Sequence, residues 1–261
     1  MAFLQCQFFS EVLGLSCSMN IILPQATAGQ IGMKGKVRAK KHPVLWLLHG
    51  MSDDHSIWAR RTSIERYASE IGIAVIMPAV NLSWYQDMAS GPRYGTFLSE
   101  ELPAIAQSFF PLSTARKDNF VAGLSMGGYG AFLLALSQPE RFAAAASLSG
   151  ALDVAAFLGA GDNSRQAVYR SAFGSMEKFR GSNADLLRLA TKLARTRGPK
   201  PAFYACCGSE DFLLQHNRNF VAHAKKIGFP LAYEEHPGAS HSWDYWDRQI
   251  QHVLEWLPLK R

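Results

Sequence analysis

The sequence predicts an α/β fold, a mostly parallel central sheet with helices on both faces, and three observations predict it. Runs such as Pro43-Val44-Leu45-Trp46-Leu47-Leu48 are too continuously apolar for a half-exposed strand and suit strands covered on both sides. Such runs alternate with segments whose apolar residues recur at helical spacing. The strand-like runs also end in small or polar residues, which is where a parallel sheet presents functional groups. With 261 residues, 48% of them hydrophobic, the chain is long enough for one large core, so a single domain spanning 1–261 is expected.

The elements follow in order. Phe3 to Ser10 and Leu15 to Leu23, joined through Val12-Leu13-Gly14, read as an antiparallel hairpin that Pro24 ends. After the strand ending in His49-Gly50-Met51, the string Thr62-Ser63-Ile64-Glu65 reads as a capping box that starts a helix. Ile64, Tyr67, Ala68 and Ile71 share one face of that helix, Gly72 stops it, and strand Ile73 to Met77 follows. Leu98, Leu102, Ile105 and Phe109 mark another helix within 94–110, which Pro103 should bend or break near its start. Ala143 to Gly150 has helical propensity, yet it follows Gln138-Pro139-Glu140 and ends in Ser149-Gly150, so it reads as a short parallel strand. Residues 151–200 read as an irregular, helical, cap-like insertion over the site, broken at Gly159-Ala160-Gly161, Gly174 and Gly181. Strand Pro201 to Cys207, a helix stopped by Gly228, strand Leu231 to Glu235 and an amphipathic helix carrying Trp246, Ile250, Val253 and Leu257 complete the alternation.

One stretch carries chemistry. Phe120-Val121-Ala122-Gly123-Leu124-Ser125-Met126-Gly127-Gly128 is a strand-like run leading into G-x-S-x-G, with the helix-like Ala131 to Leu136 behind it. This is a nucleophile elbow, a sharp strand-to-helix turn that lifts a serine hydroxyl above the sheet. Side chains two residues to either side would collide, so Gly123 and Gly127 leave that space empty. A serine needs a base, and the base needs a third group to hold its tautomer. In the α/β-hydrolase fold the chain order is serine, acid, histidine, and His236, His241 and His252 come late enough. His241 is expected as the base because it lies in the loop between the last strand and the last helix. Of the neighbours Glu210 and Asp211, the shorter Asp211, backed by Phe212-Leu213-Leu214, suits a rigid bond to imidazole. The oxyanion donors are expected to be the main-chain N–H groups of Met126, after the nucleophile, and Met51, after the small Gly50.

Other chemistries fit poorly. His49, Asp53, Asp54 and His55 lack the spacing of a metal site, no phosphate-binding loop is present, and no cofactor is expected. The net charge of +6 is mild. Its densest run, Lys34, Lys36, Arg38, Lys40 and Lys41, lacks interleaved aromatics and reads as a solvated loop, not a nucleic-acid surface. Adjacent Cys206 and Cys207 in an apolar run read as buried thiols rather than half of a disulfide framework. Met1 to Leu15 carries Glu11 and no basic leader or long apolar stretch, so no signal peptide or membrane span is expected and the protein is expected in the cytoplasm.

With these residues in place the chain resembles the tributyrin esterases of the esterase D branch of the α/β-hydrolases. The matching strings are Phe8-Phe9-Ser10-Glu11, His49-Gly50-Met51, Ser83-Trp84-Tyr85, Glu100-Glu101-Leu102-Pro103, the elbow, Ser149-Gly150-Ala151-Leu152, Cys207-Gly208-Ser209-Glu210-Asp211-Phe212-Leu213 and His241-Ser242-Trp243. The resemblance implies a cofactor-free carboxylesterase with Ser125, Asp211 and His241 as its triad and a preference for short acyl chains on a small-molecule ester. It also implies that Trp84 and Tyr85 lie near the substrate, with Trp243 bulky enough to help close a short pocket. The related S-formylglutathione hydrolases usually carry histidines where this chain has Leu124 and Tyr129, which argues against a glutathione thioester as main substrate. Carbohydrate and feruloyl ester deacylases share the fold and stay open, as does assembly into a homo-oligomer. A non-catalytic binding protein on this fold would have lost the serine or the histidine, and both are present.

Overall fold

The computed structural model describes residues 1–33, 35–159 and 165–259. Lys34 of the basic run and Ala160 and Gly161 of the glycine break lie outside the described residues. One eight-stranded sheet runs in the order β1-β2-β4-β3-β5-β6-β7-β8. Strands β1 (Ala2–Ser10) and β2 (Leu15–Leu23) form the expected hairpin, with Ala2 opposite Leu23 and Ser10 opposite Leu15. Strand β2 pairs antiparallel with β4 (Ala74–Pro78), and β3 (Val44–Leu48), β4, β5 (Asn119–Leu124), β6 (Ala144–Leu148), β7 (Ala202–Gly208) and β8 (Ala232–His236) are parallel. Every residue of β3, β4, β5 and β6 is buried, as strands covered on both faces require.

The helices form two layers. Helices α1 (Ile57–Arg61) and α2 (Ile64–Ile71) cover one face, on which Trp58, Ile64 and Ala68 meet Leu45, Leu47 and Val75. The capping box is not formed. Five residues before Thr62 already make α1, and Thr62 ends that helix by donating to the Trp58 carbonyl at 2.6 Å while accepting from Ile64 N–H at 3.1 Å. Helix α2 therefore begins two residues later than the pattern suggests, and Gly72, at φ +70°, ends it as expected.

The opposite face is built from α3 (Tyr94–Thr96), α4 (Leu102–Phe109) and α5 (Met126–Ser137). Between α3 and α4 the chain widens into a π-helical turn over Phe97–Glu101, directly before Pro103. Pro103 has no N–H to give the Ser99 carbonyl four residues back, and the guanidinium of Arg141 takes that acceptor at 2.9 Å. Helix α5 has eleven buried residues from Met126 to Leu136, so it is apolar all round because it is enclosed all round.

After β6 come α6 (Ala155–Gly159), α7 (Gln166–Phe173), α8 (Met176–Phe179) and α9 (Leu186–Ala194). Helix α9 packs on α5 and on α10 (Leu214–Ile227), the helix that Gly228 ends. The last helix, α11 (Trp243–Trp256), returns to the first face and lies against α2, β6 and β7. All four cysteines are free, and Cys17, Cys206 and Cys207 are buried. No described helix is long and apolar enough to cross a membrane.

Candidate active site

The elbow forms where β5 meets α5. Ser125 sits at φ 54°, ψ −119°, a conformation an L-residue adopts only when its surroundings enforce it. Its N–H is tied to the Leu148 carbonyl at 2.9 Å, and its own carbonyl accepts from Tyr129 N–H and Ala151 N–H, each at 3.2 Å. The flanking glycines are needed for contact as well as for the turn. A Cβ on Gly123 would strike the Gly127 main chain, and one on Gly127 would lie 2.5 Å from the Leu48 carbonyl oxygen and 2.6 Å from that of His49.

Three residues far apart in sequence meet above this turn. His241 Nε2 is 3.1 Å from Ser125 Oγ, and His241 Nδ1 is 3.0 and 2.9 Å from the two Asp211 carboxylate oxygens. An ionised carboxylate only accepts, so Nδ1 carries the proton and Nε2 turns its lone pair toward the serine. Asp211 is 5% exposed. Burial pushes its carboxyl up, but hydrogen bonding and charge coupling to His241, a hydrogen bond from Ser149 and the Leu213 N–H outweigh this and hold it below the ordinary value. Glu210 is exposed and bonds through its own N–H to the Ala239 carbonyl, so the structure brings Asp211, not Glu210, to the imidazole. The other late histidines are elsewhere: His236 Nδ1 is 2.8 Å from the Tyr245 hydroxyl, and His252 is exposed on α11.

The proposed oxyanion donors frame the same space. Met126 opens α5, so its N–H has no acceptor within the helix. Met51 lines the pocket at Ser125, and the absence of a side chain on Gly50 lets that loop approach: an added Cβ would lie 3.6 Å from Ser125 Cβ and 2.7 Å from Leu124 Cδ1. His49 holds the loop from below. It is 1% exposed, accepts from Val80 N–H at Nε2 (3.1 Å), and so donates from Nδ1 to the Gly50 carbonyl at 2.8 Å. That carbonyl and the Met51 N–H are opposite ends of one planar trans peptide, so fixing the first aims the second. Burial drives the His49 pKa down from 6.5 to about 4, keeping the ring neutral.

Two expectations about the walls part here. Trp243 lines the pocket and packs edge-on against Trp246 at 5.2 Å between centroids. Trp84 and Tyr85 do not line it; both are core residues, 2% and 0% exposed. Trp84 is the hub of an aromatic cluster with Tyr129, Phe157, Tyr169 and Phe173, at 5.4 to 5.9 Å. Tyr85 donates to the His49 carbonyl at 2.7 Å and lies where a side chain on Gly130 would be. They pack in the core beneath the loop.

Sequence reasoning missed the site roles of three residues. Phe212 packs at a tilt against His241, 4.5 Å between ring centroids, and is exposed at the mouth; Arg165, from the 151–200 segment, lines the same pocket. Ser149, buried after β6, hydrogen-bonds Asp211 and accepts from Trp246 Nε1 at 3.1 Å. The position of Ser149 at the carboxyl end of a central strand was the available signal. The cavity above Ser125 is small, about 310 Å³. Among the described residues no group of three or more His, Cys, Asp or Glu could hold a metal ion.

Fold and site together define an α/β-hydrolase. Comparison with known proteins carries this further, since the family model described as "Esterase: Putative esterase" matches residues 10–257. The chain belongs to that esterase family, in its esterase D-like part, and is a carboxylic ester hydrolase. It is 33% identical over 263 residues to an acetyl esterase of Caldicellulosiruptor saccharolyticus, covering 98% of both chains. Among solved structures it is similar to the fluorophosphonate-binding serine hydrolase F (FphF) of Staphylococcus aureus, with 34% identity, a TM-score of 0.87 and 99% of each chain covered. It is also similar to the S-formylglutathione hydrolase FrmB of the same organism, with 34% identity, a TM-score of 0.84 and 98% of each covered.

Proposed function

We propose that the protein is a serine carboxylesterase acting on short-chain acyl esters, acetyl to butyryl, through an acyl-enzyme. The single observation that carries this reading is the aligned Ser125–His241–Asp211 array, with 3.1 Å between base and hydroxyl. Ser125 Oγ attacks the ester carbonyl as His241 Nε2 takes its proton, and Asp211 stabilises the imidazolium that results. The oxyanion is received by the N–H groups of Met51 and Met126. His241 then protonates the leaving alcohol, and water repeats the sequence to release the acid. The acetyl esterase relative and a cavity at the small end of the range for ligand sites both support a short acyl group. Segment 151–200 acts as a cap over the acyl side, a role supported by Arg165 at the pocket wall. Leu124 in the same wall and a buried Tyr129 favour an oxygen ester over a glutathione thioester. The enzyme works in the cytoplasm on a small soluble ester, without nucleic acid as a partner.

The test is kcat/KM for p-nitrophenyl esters from acetate to palmitate. Each methylene that fits adds about 0.8 kcal/mol, and overpacking costs about 1–3 kcal/mol, so the optimum falls by butyrate. An optimum at long chains refutes the short pocket. Ser125→Ala lowers turnover about ten-thousandfold in a folded protein, and fluorophosphonate labelling of a different serine refutes the nucleophile.

A further inference from the structure

The turn that carries the Met51 N–H also brings in a charge that the catalytic scheme does not use. Asp53 N–H donates to the Gly50 carbonyl at 3.3 Å, and Ser52 sits at φ 74°, the left-handed conformation that the third residue of a type II turn requires. The turn brings the Asp53 side chain back toward the nucleophile. A Cβ added to Gly50 would lie 3.0 Å from Asp53 Oδ2 and 3.6 Å from Ser125 Cβ, so the carboxylate and the carbon bearing the nucleophile border the same methyl-sized space. Asp53 lines the ester pocket and is partly buried. The adjacent Asp54 uses its carboxylate at the start of α1, accepting from Ser56 N–H at 2.8 Å and from the Ser56 hydroxyl at 2.6 Å. Among the described residues, Asp53 takes a hydrogen bond from Gly50 N–H and forms no ion pair. Burial, with Asp54, raises its carboxyl from the ordinary value, and the Gly50 N–H, Arg61 and His241 offset this only in part.

A carboxylate in this place opposes the reaction, because the tetrahedral intermediate puts a second negative charge on the neighbouring Met51 N–H. A positive charge carried by the substrate would offset both the burial and the repulsion. A hydroxyl would supply a hydrogen bond but no counter-charge. The rings of Phe212, Trp243 and Trp246 in the same lining give an organic cation a place for its carbon surface, which a hydrated metal ion could not use. Arg165, the other full charge in the lining, follows β6, and the sheet order puts β5 between β6 and the β3 loop that carries Asp53. Its guanidinium is engaged by the Tyr169 hydroxyl. The β3 side of the pocket is therefore acidic.

We infer that Asp53 is a specificity-determining residue that selects esters whose alcohol carries an organic ammonium group close to the ester oxygen. The inference rests on the short-chain esterase reading, which leaves an unsubstituted acyl group and so places the cation on the alcohol. The ammonium lies against the Asp53 carboxylate while Ser125 Oγ attacks the carbonyl. His241 protonates the leaving amino alcohol, which departs with its charge, and the acyl group stays on Ser125 until water releases it.

The probes are 2-(dimethylamino)ethyl acetate, protonated at neutral pH, and 3-methylbutyl acetate, its neutral isostere with CH in place of the charged N–H. For each, kcat/KM is divided by the ester's own rate constant with hydroxide, which removes the difference in leaving group. The native chain is expected to favour the cation by about tenfold or more, Asp53→Asn to reduce that preference to about twofold or less, and Asp53→Glu, which keeps the charge, to retain most of it. Each preference is a ratio within one preparation, so the folded fraction of a variant does not enter it. With p-nitrophenyl acetate turned over, a native preference under about twofold, or one that Asp53→Asn leaves intact, overturns this inference and leaves the esterase reading standing. Absence of turnover of p-nitrophenyl acetate by the native chain overturns both.

Discussion

Acidification to pH 5 costs this protein stability through His49, by an amount the structure sets. The ring is neutral and fully used in the native state, with Nδ1–H on the Gly50 carbonyl and Nε2 accepting from Val80 N–H. A second proton would set two N–H groups against each other at Nε2. The native pKa is about 4 against an ordinary 6.5. As pH falls through 6.5 the unfolded chain binds a proton that the native state refuses, so stability is lost between pH 6.5 and 4 and levels off below. At about 1.36 kcal/mol per pH unit the full loss is a little over 3 kcal/mol, and about 2 kcal/mol of it has accrued by pH 5. His42 and His216, both lowered by burial, titrate in the same direction, so a variant must isolate the ring. His49→Asn keeps an N–H donor near the position of Nδ1 and cannot titrate. Urea unfolding at pH 7.5 and pH 5 should show the native sequence losing about 2 kcal/mol more than the variant. Equal losses would refute both the neutral tautomer and its role in aiming the Met51 N–H.

Further outcomes test the array itself. Asp211→Asn should lower kcat on p-nitrophenyl acetate by about 10⁴, while Glu210→Gln, exposed and turned away, leaves it within about twofold. Ser149→Ala removes a hydrogen bond to the Asp211 carboxylate and the acceptor of Trp246 Nε1, and should lower kcat about tenfold with KM little changed. Gly123→Ala places a methyl against the Gly127 main chain, so the melting temperature should fall by several degrees, consistent with an overpacking cost of about 1–3 kcal/mol.

The central strands β3 to β7 were legible because each is a short apolar run with a clear end. Helix α1 was not, because Ile57–Arg61 is one turn long and most of what holds it is tertiary, including Trp58 Nε1 donating to the Leu48 carbonyl at 3.0 Å. Ser125 was marked by the elbow, while chain order left three late histidines and two neighbouring carboxylates, among which loop position and side-chain length chose His241 and Asp211. Ser149 and Trp246 act through bonds spanning 97 residues, which no local pattern encodes. Trp84 and Tyr85 show the converse difficulty. Both sit at positive φ, 54° and 59°, and the turn they make directs aromatic rings into the core that sequence alone would leave facing the substrate.

The neighbouring thiols of Cys206 and Cys207 bear on how the enzyme meets electrophiles. Strand β7 turns them to opposite sides of the sheet, both wholly enclosed, and burial pushes both upward from their ordinary values, as it does for Cys17 and Cys6. A thiol attacks as thiolate, and these four are held in the protonated form near neutral pH. Haloacetamides and mild peroxide therefore find poor targets in the sulfur atoms, leaving an activated hydroxyl as the preferred point of acylation. The protein is built to be selective toward reagents by keeping its better intrinsic nucleophiles silent.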